Sequence, residues 1–328
     1  MKKDFLTWTR EHEEYTGELF TWKNISNGSL NVLGTGIVEF LPKEKTGTQI
    51  IYSCGIHGNE TGPIEIVNDI VKSIENESLT CIHHTLFIFG NPRAMNIGKR
   101  FTVENLNRLF ARELDSKQDN YEVRRAKELI QIVDDFYETD TSKIHYDLHT
   151  AIRASELKKF AIYPYSLTNP LDKEQLGFLD KSEIEGVIIT DDVATTFSYH
   201  SSSLYNAASF TLELGKVKKF GENDRDSFKS IEENLRLILS GEYTPTTEYS
   251  KLKIFEMNIE IIKHDDTFTF NFDEKFPNFS KFKDGELISK DKTKTIKASG
   301  NDQRVIFPNP KVKIGERAAL IIGPKRLP

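Results

Sequence analysis

A histidine and a glutamate stand three residues apart in "GIHGNETG", Gly55 to Gly62. The stretch sits between the apolar run "QIIYSC" and a segment with helical spacing. Imidazole nitrogen and carboxylate oxygen both bind zinc, and a catalytic zinc site uses three protein ligands and keeps one position for water. His57 and Glu60 can supply two of the three. Both side chains can point past the carboxyl end of the preceding strand, the edge where open α/β sheets build their sites. Taken alone, HxxE in a turn is weak evidence for a metal site and more often marks a polar, capped turn.

A third ligand should end another strand. Of the eight histidines, His149 in "HYDLHTAIR" fits best: it closes an apolar-flanked strand just before a polar loop. Asp147 lies two residues back, on the same strand face, and a carboxylate there can orient a ligating imidazole. His145 is a rival within this strand but lies further from the loop. His83 and His84 open a strand, the wrong end. His12, His200 and His264 have no acidic or histidine partner at useful spacing.

In "ASFTLELGK", Glu213 sits inside an apolar run, where an unpaired carboxylate is costly. It reads either as a base that takes a proton from an attacking water or as a salt-bridged strand end, with Lys216 at hand. The segment "GNPRAMNIGKRFTVENLNRLF" holds Arg93, Arg100, Asn107 and Arg108, and Arg153 follows His149 by four residues. Arginine captures carboxylates in bidentate fashion. Any one of these arginines, taken separately, reads as a solvated surface charge.

The elements that must carry these residues are legible as patterns. "QIIYSCGI", "TLFIFGNP", "IHYDLHT", "KFAIYPY", "GVIITDD" and "ASFTLELG" predict buried strands. Helical spacing of Val67, Ile70, Val71 and Ile74 predicts a helix between the first two, with Thr61 as cap and Pro63 in its first turn. Residues 120–138 and 226–239 predict two more helices. This alternation implies a layered α/β domain around a largely parallel sheet, over residues 1–243. From residue 244 to 328 the texture turns to β-branched and aromatic runs broken by Lys, Asp and Gly turns, which predicts a smaller β-rich C-terminal domain. Gly55, Gly58 and Gly62 are expected to let the backbone turn tightly enough for both ligands to reach one ion.

The chain has 328 residues, 38% hydrophobic and 29% charged, with a net charge of -6 and a pI near 5.8. It lacks the basic excess of a nucleic-acid binder, although a local arginine cluster can still hold a small anion. Two cysteines without a CxxC cannot build a disulfide framework. The N-terminus has no apolar core of a signal peptide, and no run approaches the ~20 apolar residues that span a bilayer. The expectation is a cytoplasmic protein that binds neither nucleic acid nor membrane. Oligomeric state is not written in these features.

Together "GIHGNETGPIE", "GNPRAMNIGKRF…NLNRLF", "DLHTAIR" and "FTLELGK" resemble, in order and setting, the succinylglutamate desuccinylase/aspartoacylase family, a branch of the zinc carboxypeptidase-like hydrolases. The resemblance covers nearly the whole chain, and "VIFPNPKVKIGERAALII" looks like the end of the desuccinylase branch. It implies a zinc-carboxypeptidase-like three-layer fold with a mostly parallel mixed sheet. It implies one zinc ion per subunit, held by His57, Glu60 and His149, with Glu213 activating water. Arg100, Asn107 and Arg108 match substrate-side residues, and Arg153 is a further candidate on the same rim. The implied reaction is hydrolysis of N-succinylglutamate to succinate and glutamate, the last step of arginine degradation by the succinyltransferase route. The alternatives are an aspartoacylase-like deacylase of another N-acyl amino acid and a non-catalytic acyl amino acid binding module. One departure stands out: many relatives carry aspartate before "LNR", and this chain has Asn105, a position not expected to touch zinc.

Overall fold

Residue periodicity translates directly into layers. The computed structural model describes residues 3–110, 114, 117–164, 171–190 and 193–327. In chain order the elements are α1 (Phe5–Glu11), β1 (Phe20–Ile25), β2 (Gly28–Gly34), β3 (Ile37–Pro42), β4 (Thr48–Cys54), α2 (Thr61–Glu75), β5 (His84–Phe89), α3 (Pro92–Asn96) and α4 (Tyr121–Phe136). Then come β6 (Ser142–Ala151), β7 (Phe160–Tyr163), α5 (Lys173–Lys181), β8 (Gly186–Ile189), α6 (Phe197–Tyr205), β9 (Ala208–Lys216) and α7 (Lys229–Ser240). The last are β10 (Lys253–Ile262), β11 (Thr269–Phe270), β12 (Leu287–Lys290), β13 (Thr295–Lys297), β14 (Arg304–Ile306) and β15 (Arg317–Pro324).

Among the described residues, twelve strands form one mixed sheet in the order β1-β2-β3-β5-β4-β6-β9-β7-β8-β10-β15-β14. Its centre is parallel: β4 pairs with β5 and β6, and β6 with β9. The register sets Ser53 beside Asp147 and His149 beside Glu213. Strands this apolar need cover on both faces. Val67, Ile70, Leu176, Ile231 and Leu235 of α2, α5 and α7 pack on Tyr52, Tyr146 and Phe210. Val123, Leu129 and Val133 of α4 and Phe197 of α6 pack with Ile51, Leu86 and Ile88 on the opposite face. The result is three layers, as expected.

All six anticipated strands form. The tail ends of two of them, Tyr165 and Asp191–Asp192, lie outside the described residues. Two details differ from expectation. Thr61 is the first residue of α2 rather than its cap, because its hydroxyl donates to the Lys218 carbonyl instead. The helix expected from residue 226 opens as a 3-10 turn over Arg225–Phe228 before α7 begins. The strands β1 to β3 were not anticipated. β2 alternates buried and half-buried positions and β1 is mostly exposed, so neither presents the continuous apolar run that marks the central strands.

Every described element after Ser240 is a strand. β10 pairs in parallel with β8, and β15 and β14 follow it antiparallel, so this segment continues the main sheet. β11, β12 and β13 make a separate small sheet. The joint is apolar: Leu157, Phe160 and Ile188 pack with Phe255, Phe279, Ile306 and Leu320. Among the described residues no helix is long and apolar enough to cross a membrane.

Candidate active site

The turn between β4 and α2 is shaped by two glycines. Gly55 has φ +62, and a side chain there would collide with Met95 at 2.1 Å. At Gly58 a Cβ would meet the backbone of Ala94 and Met95 at 2.3 Å, so the turn lies directly on α3. Gly58 N also donates to the Arg100 carbonyl (3.1 Å), which ties the turn to the arginine segment. Gly62 has no positive φ and instead abuts Phe228.

This turn delivers His57 and Glu60 to the carboxyl edge of the sheet, and β6 delivers His149. His57 Nδ1 lies 2.9 Å from Glu60 Oε1, His149 Nδ1 lies 2.8 Å from Glu60 Oε2, and the two Nδ1 atoms are 3.2 Å apart. These separations are close to the edges of a tetrahedron whose centre lies about 2 Å from each ligand. All three residues are buried, and the three form a group able to hold a metal ion. The far side of each ring is held as well. His57 Nε2 donates to Asn105 Oδ1 (2.9 Å), and His149 Nε2 donates to Asp147 Oδ2 (2.8 Å). Both Nδ1 atoms are thereby left available to a metal ion. Glu60 Oε2 further accepts from Thr150 N (3.0 Å).

The electrostatics suit a cation. Burial opposes the Glu60 carboxylate, but the imidazoles of His57 and His149 outweigh it and hold its carboxyl well below the usual range. Burial also works against a charged His149, yet Asp147 and Glu60 prevail and raise it well above an ordinary histidine. His57 is pushed down to about 4, chiefly by burial, with Glu60 pulling the other way. Two carboxylates thus demand positive charge at this point, and a metal held here would take the place of the proton, because a ligating imidazole is neutral.

Glu213 lies near the carboxyl end of β9, beside His149 in the register, and is 9% exposed. Burial, and then the Glu60 charge, push its carboxyl up to about 7. Among the described residues its Oε2 has no hydrogen-bond partner. A buried carboxylate with an idle oxygen and a pKa near neutrality is suited to accept and return a proton. The Lys216 alternative is not what the structure presents, since that idle oxygen has no cation on it.

Arg100 Nη1 reaches Glu60 Oε1 (2.7 Å) with its head partly open to solvent. Its loop is anchored by Glu122 of α4, whose carboxylate accepts from Thr102 N and Oγ1 (both 2.7 Å) and Val103 N (3.2 Å). Asn107 is buried, with Oδ1 accepting from Phe197 N (2.9 Å) and Nδ2 3.5 Å from His149 Nε2. Arg108 is exposed. The protein around it, then Arg317 and Arg100, bring its pKa down to about 10, so it stays charged. The segment thus sets Arg100 on Glu60 and Asn107 beside His149, while the Arg108 guanidinium donates to the Asn107 carbonyl (2.8 Å).

Arg153 is drawn elsewhere. Its guanidinium donates to the carbonyls of Glu274, Phe276 (2.9 Å) and Pro308 (2.6 Å), all in the C-terminal segment. Three backbone acceptors in one place fix this side chain as a clamp between segments, away from the rim. Asn105 is the opposite case: it looked peripheral, yet it fixes the ring of His57. Its signal was present in the sequence, as the residue that caps the 3-10 turn Leu106–Arg108, but its partner His57 is 48 residues away.

Comparison with known proteins agrees over the whole chain. Residues 46–239 match the succinylglutamate desuccinylase/aspartoacylase catalytic domain, and residues 250–325 match the AstE/AspA barrel-sandwich hybrid domain. The succinylglutamate desuccinylase of Shewanella piezotolerans is 39% identical over 98% of this chain and 95% of its own. The crystal structure of the Vibrio parahaemolyticus succinylglutamate desuccinylase superposes with a TM-score of 0.91 at 34% identity, covering 99% of this chain and 96% of its own. That of the Chromobacterium violaceum enzyme gives 0.89 at 35% identity, covering 99% and 98%.

Proposed function

Because the chain belongs to the succinylglutamate desuccinylase/aspartoacylase family, we propose that it hydrolyses the amide bond of N-succinylglutamate to succinate and glutamate. The observation that carries this reading is the convergence of His57, Glu60 and His149 on one point, with the idle carboxylate of Glu213 on the neighbouring strand. Near-full-length relatives named for this activity supply the substrate.

His57 Nδ1, the Glu60 carboxylate and His149 Nδ1 would hold one zinc ion. Zinc bound there would lower the pKa of a water from ~15.7 toward ~7 and polarise the scissile carbonyl. Glu213 takes the proton of the attacking water on its free Oε2 as the water oxygen bonds to the succinyl carbonyl carbon. The Arg100 guanidinium lies at the rim, where one of its remaining N–H groups stabilises the developing oxyanion. As the carbon–nitrogen bond breaks, Glu213 returns its proton to the departing glutamate nitrogen. A group with a pKa near 7 serves both directions at neutral pH. N-succinylglutamate carries three carboxylates, and Arg108 supplies positive charge for one of them. Asn107 lines the same wall beside His149. Residues 1–243 form the catalytic unit, and 244–328 the β-rich unit that closes its side.

A substrate panel on the zinc-loaded protein tests this. Turnover of N-succinylglutamate should far exceed that of N-acetylaspartate. Equal or better turnover of N-acetylaspartate would move the assignment to another N-acyl amino acid, and no turnover of either would favour a binding module.

A further inference from the structure

A chain of buried polar side chains runs behind the candidate metal centre, and the reaction makes no direct use of it. Asp147 Oδ2 accepts from His149. Its other oxygen, Oδ1, accepts from Ser53 Oγ at 2.6 Å. Ser53 Oγ lies 2.9 Å from His145 Nε2, and His145 Nδ1 lies 2.7 Å from Ser201 Oγ. All four side chains are buried, at 0% exposure. The path crosses from β6 to β4, back to β6 and on to α6.

The polarity of this chain can be worked out. Both Asp147 oxygens are taken up as acceptors, Oδ2 by His149 Nε2 and Oδ1 by the Ser53 hydroxyl. Asp147 is therefore an acceptor only. The single hydroxyl proton of Ser53 must point at Asp147, so His145 has to donate from Nε2. Burial pushes His145 down to about 4, so its ring is neutral and carries one N–H. Its Nδ1 must then accept from Ser201. Each link leaves the next with one permitted orientation, and the last fixes the carboxylate plane of Asp147. His145 is further held by the edge-on face of Phe197, with ring centroids 4.7 Å apart at 88°.

We propose that Ser53 and His145 are positioning residues of the metal centre, locking Asp147 so that His149 presents Nδ1 rather than Nε2 to the ion. This rests on reading His57, Glu60 and His149 as the ligands. Removing the Ser53 hydroxyl leaves Asp147 Oδ1 buried and unpartnered, and frees the carboxylate to turn. Outer hydrogen bonds of this kind are worth about 10–100-fold in metal affinity.

The test is equilibrium zinc affinity of the full chain by competition with a chromophoric chelator. Ser53→Ala and His145→Leu should weaken zinc by about 10–100-fold. His145→Gln, whose amide nitrogen can stand in for Nε2, should recover most of that loss. Tyr146→Phe removes another hydrogen bond of β6, that to Gln175 (2.7 Å), and should leave zinc affinity unchanged. In the metal-free wild type, nitrogen-15 NMR should find His145 as the Nε2–H tautomer, a readout that needs no variant. Wild-type affinity in Ser53→Ala and His145→Leu, or an Nδ1–H tautomer at His145, would overturn the proposal. If His149→Ala itself fails to weaken zinc, the ligand assignment falls first and this inference with it.

Discussion

Replacing Glu213 by glutamine separates what this residue does for catalysis from what it costs the fold. Burial and then the Glu60 charge hold the folded Glu213 carboxyl up at about 7, against 4.5 for an ordinary glutamate. The folded state therefore keeps a proton that the unfolded chain has already lost over that window. For a group with a raised folded pKa, the stabilisation is fully present below the unfolded value and is lost as pH rises through the folded one. Raising the carboxyl from 4.5 to about 7, at about 1.36 kcal/mol per pH unit, amounts to roughly 3 kcal/mol. Glutamine has the same shape and no such titration. The metal-free Glu213→Gln variant should therefore gain on the wild type by roughly 3 kcal/mol between pH 4.5 and pH 8. With an unfolding entropy of about 2.1 cal/mol/K per residue, that is a difference near 4 °C in Tm for a chain of this length. The assay is thermal unfolding of both metal-free proteins at half-unit steps of pH. The zinc-loaded variant should meanwhile keep its metal and lose about 10²–10⁴ in turnover. Parallel pH profiles for the two proteins would refute a raised Glu213 pKa, and retained turnover would refute its role as base.

Three further perturbations address the other residues. Arg100→Met should lower kcat by about 10²–10³ with a smaller change in KM, as expected for a group that acts in the transition state; a rise in KM alone, measured by steady-state kinetics, would make it a ground-state anchor. Asn105→Ala leaves His57 Nε2 without its acceptor and should weaken zinc by about tenfold in a chelator competition, while Asn105→Asp should hold it at least as tightly as the wild type. Arg153→Met withdraws a charged donor from three carbonyls and should destabilise the protein by about 1–3 kcal/mol in denaturant unfolding, with KM unchanged; a raised KM without loss of stability would return Arg153 to the substrate site.

Much of this protein is local in its sequence. The six central strands announce themselves as short β-branched runs because both of their faces are buried. His57, Glu60, His149 and Glu213 stand out because polar groups at the ends of such runs need a reason to be there. Their spacing and order were also enough to recognise the family. β1 and β2 lacked that signal, since a mostly exposed strand and an alternating one carry no continuous apolar run.

Tertiary structure decided which groups meet. Asn105 reaches His57 over 48 residues, Ser53 reaches Asp147 over 94, and Arg153 finds its carbonyls more than 120 residues on. No local period encodes such contacts; they follow from strand order and register, which place β4 against β6 and β6 against β9. The sequence by itself determined the residue types at the candidate centre and the strand ends that carry them. Only the packed sheet determined which ring nitrogens of His57 and His149 face Glu60, that Glu213 Oε2 has no hydrogen-bond partner among the described residues, and that Arg153 holds the C-terminal segment. Those depend on where each remaining hydrogen bond goes once the chain has closed around it.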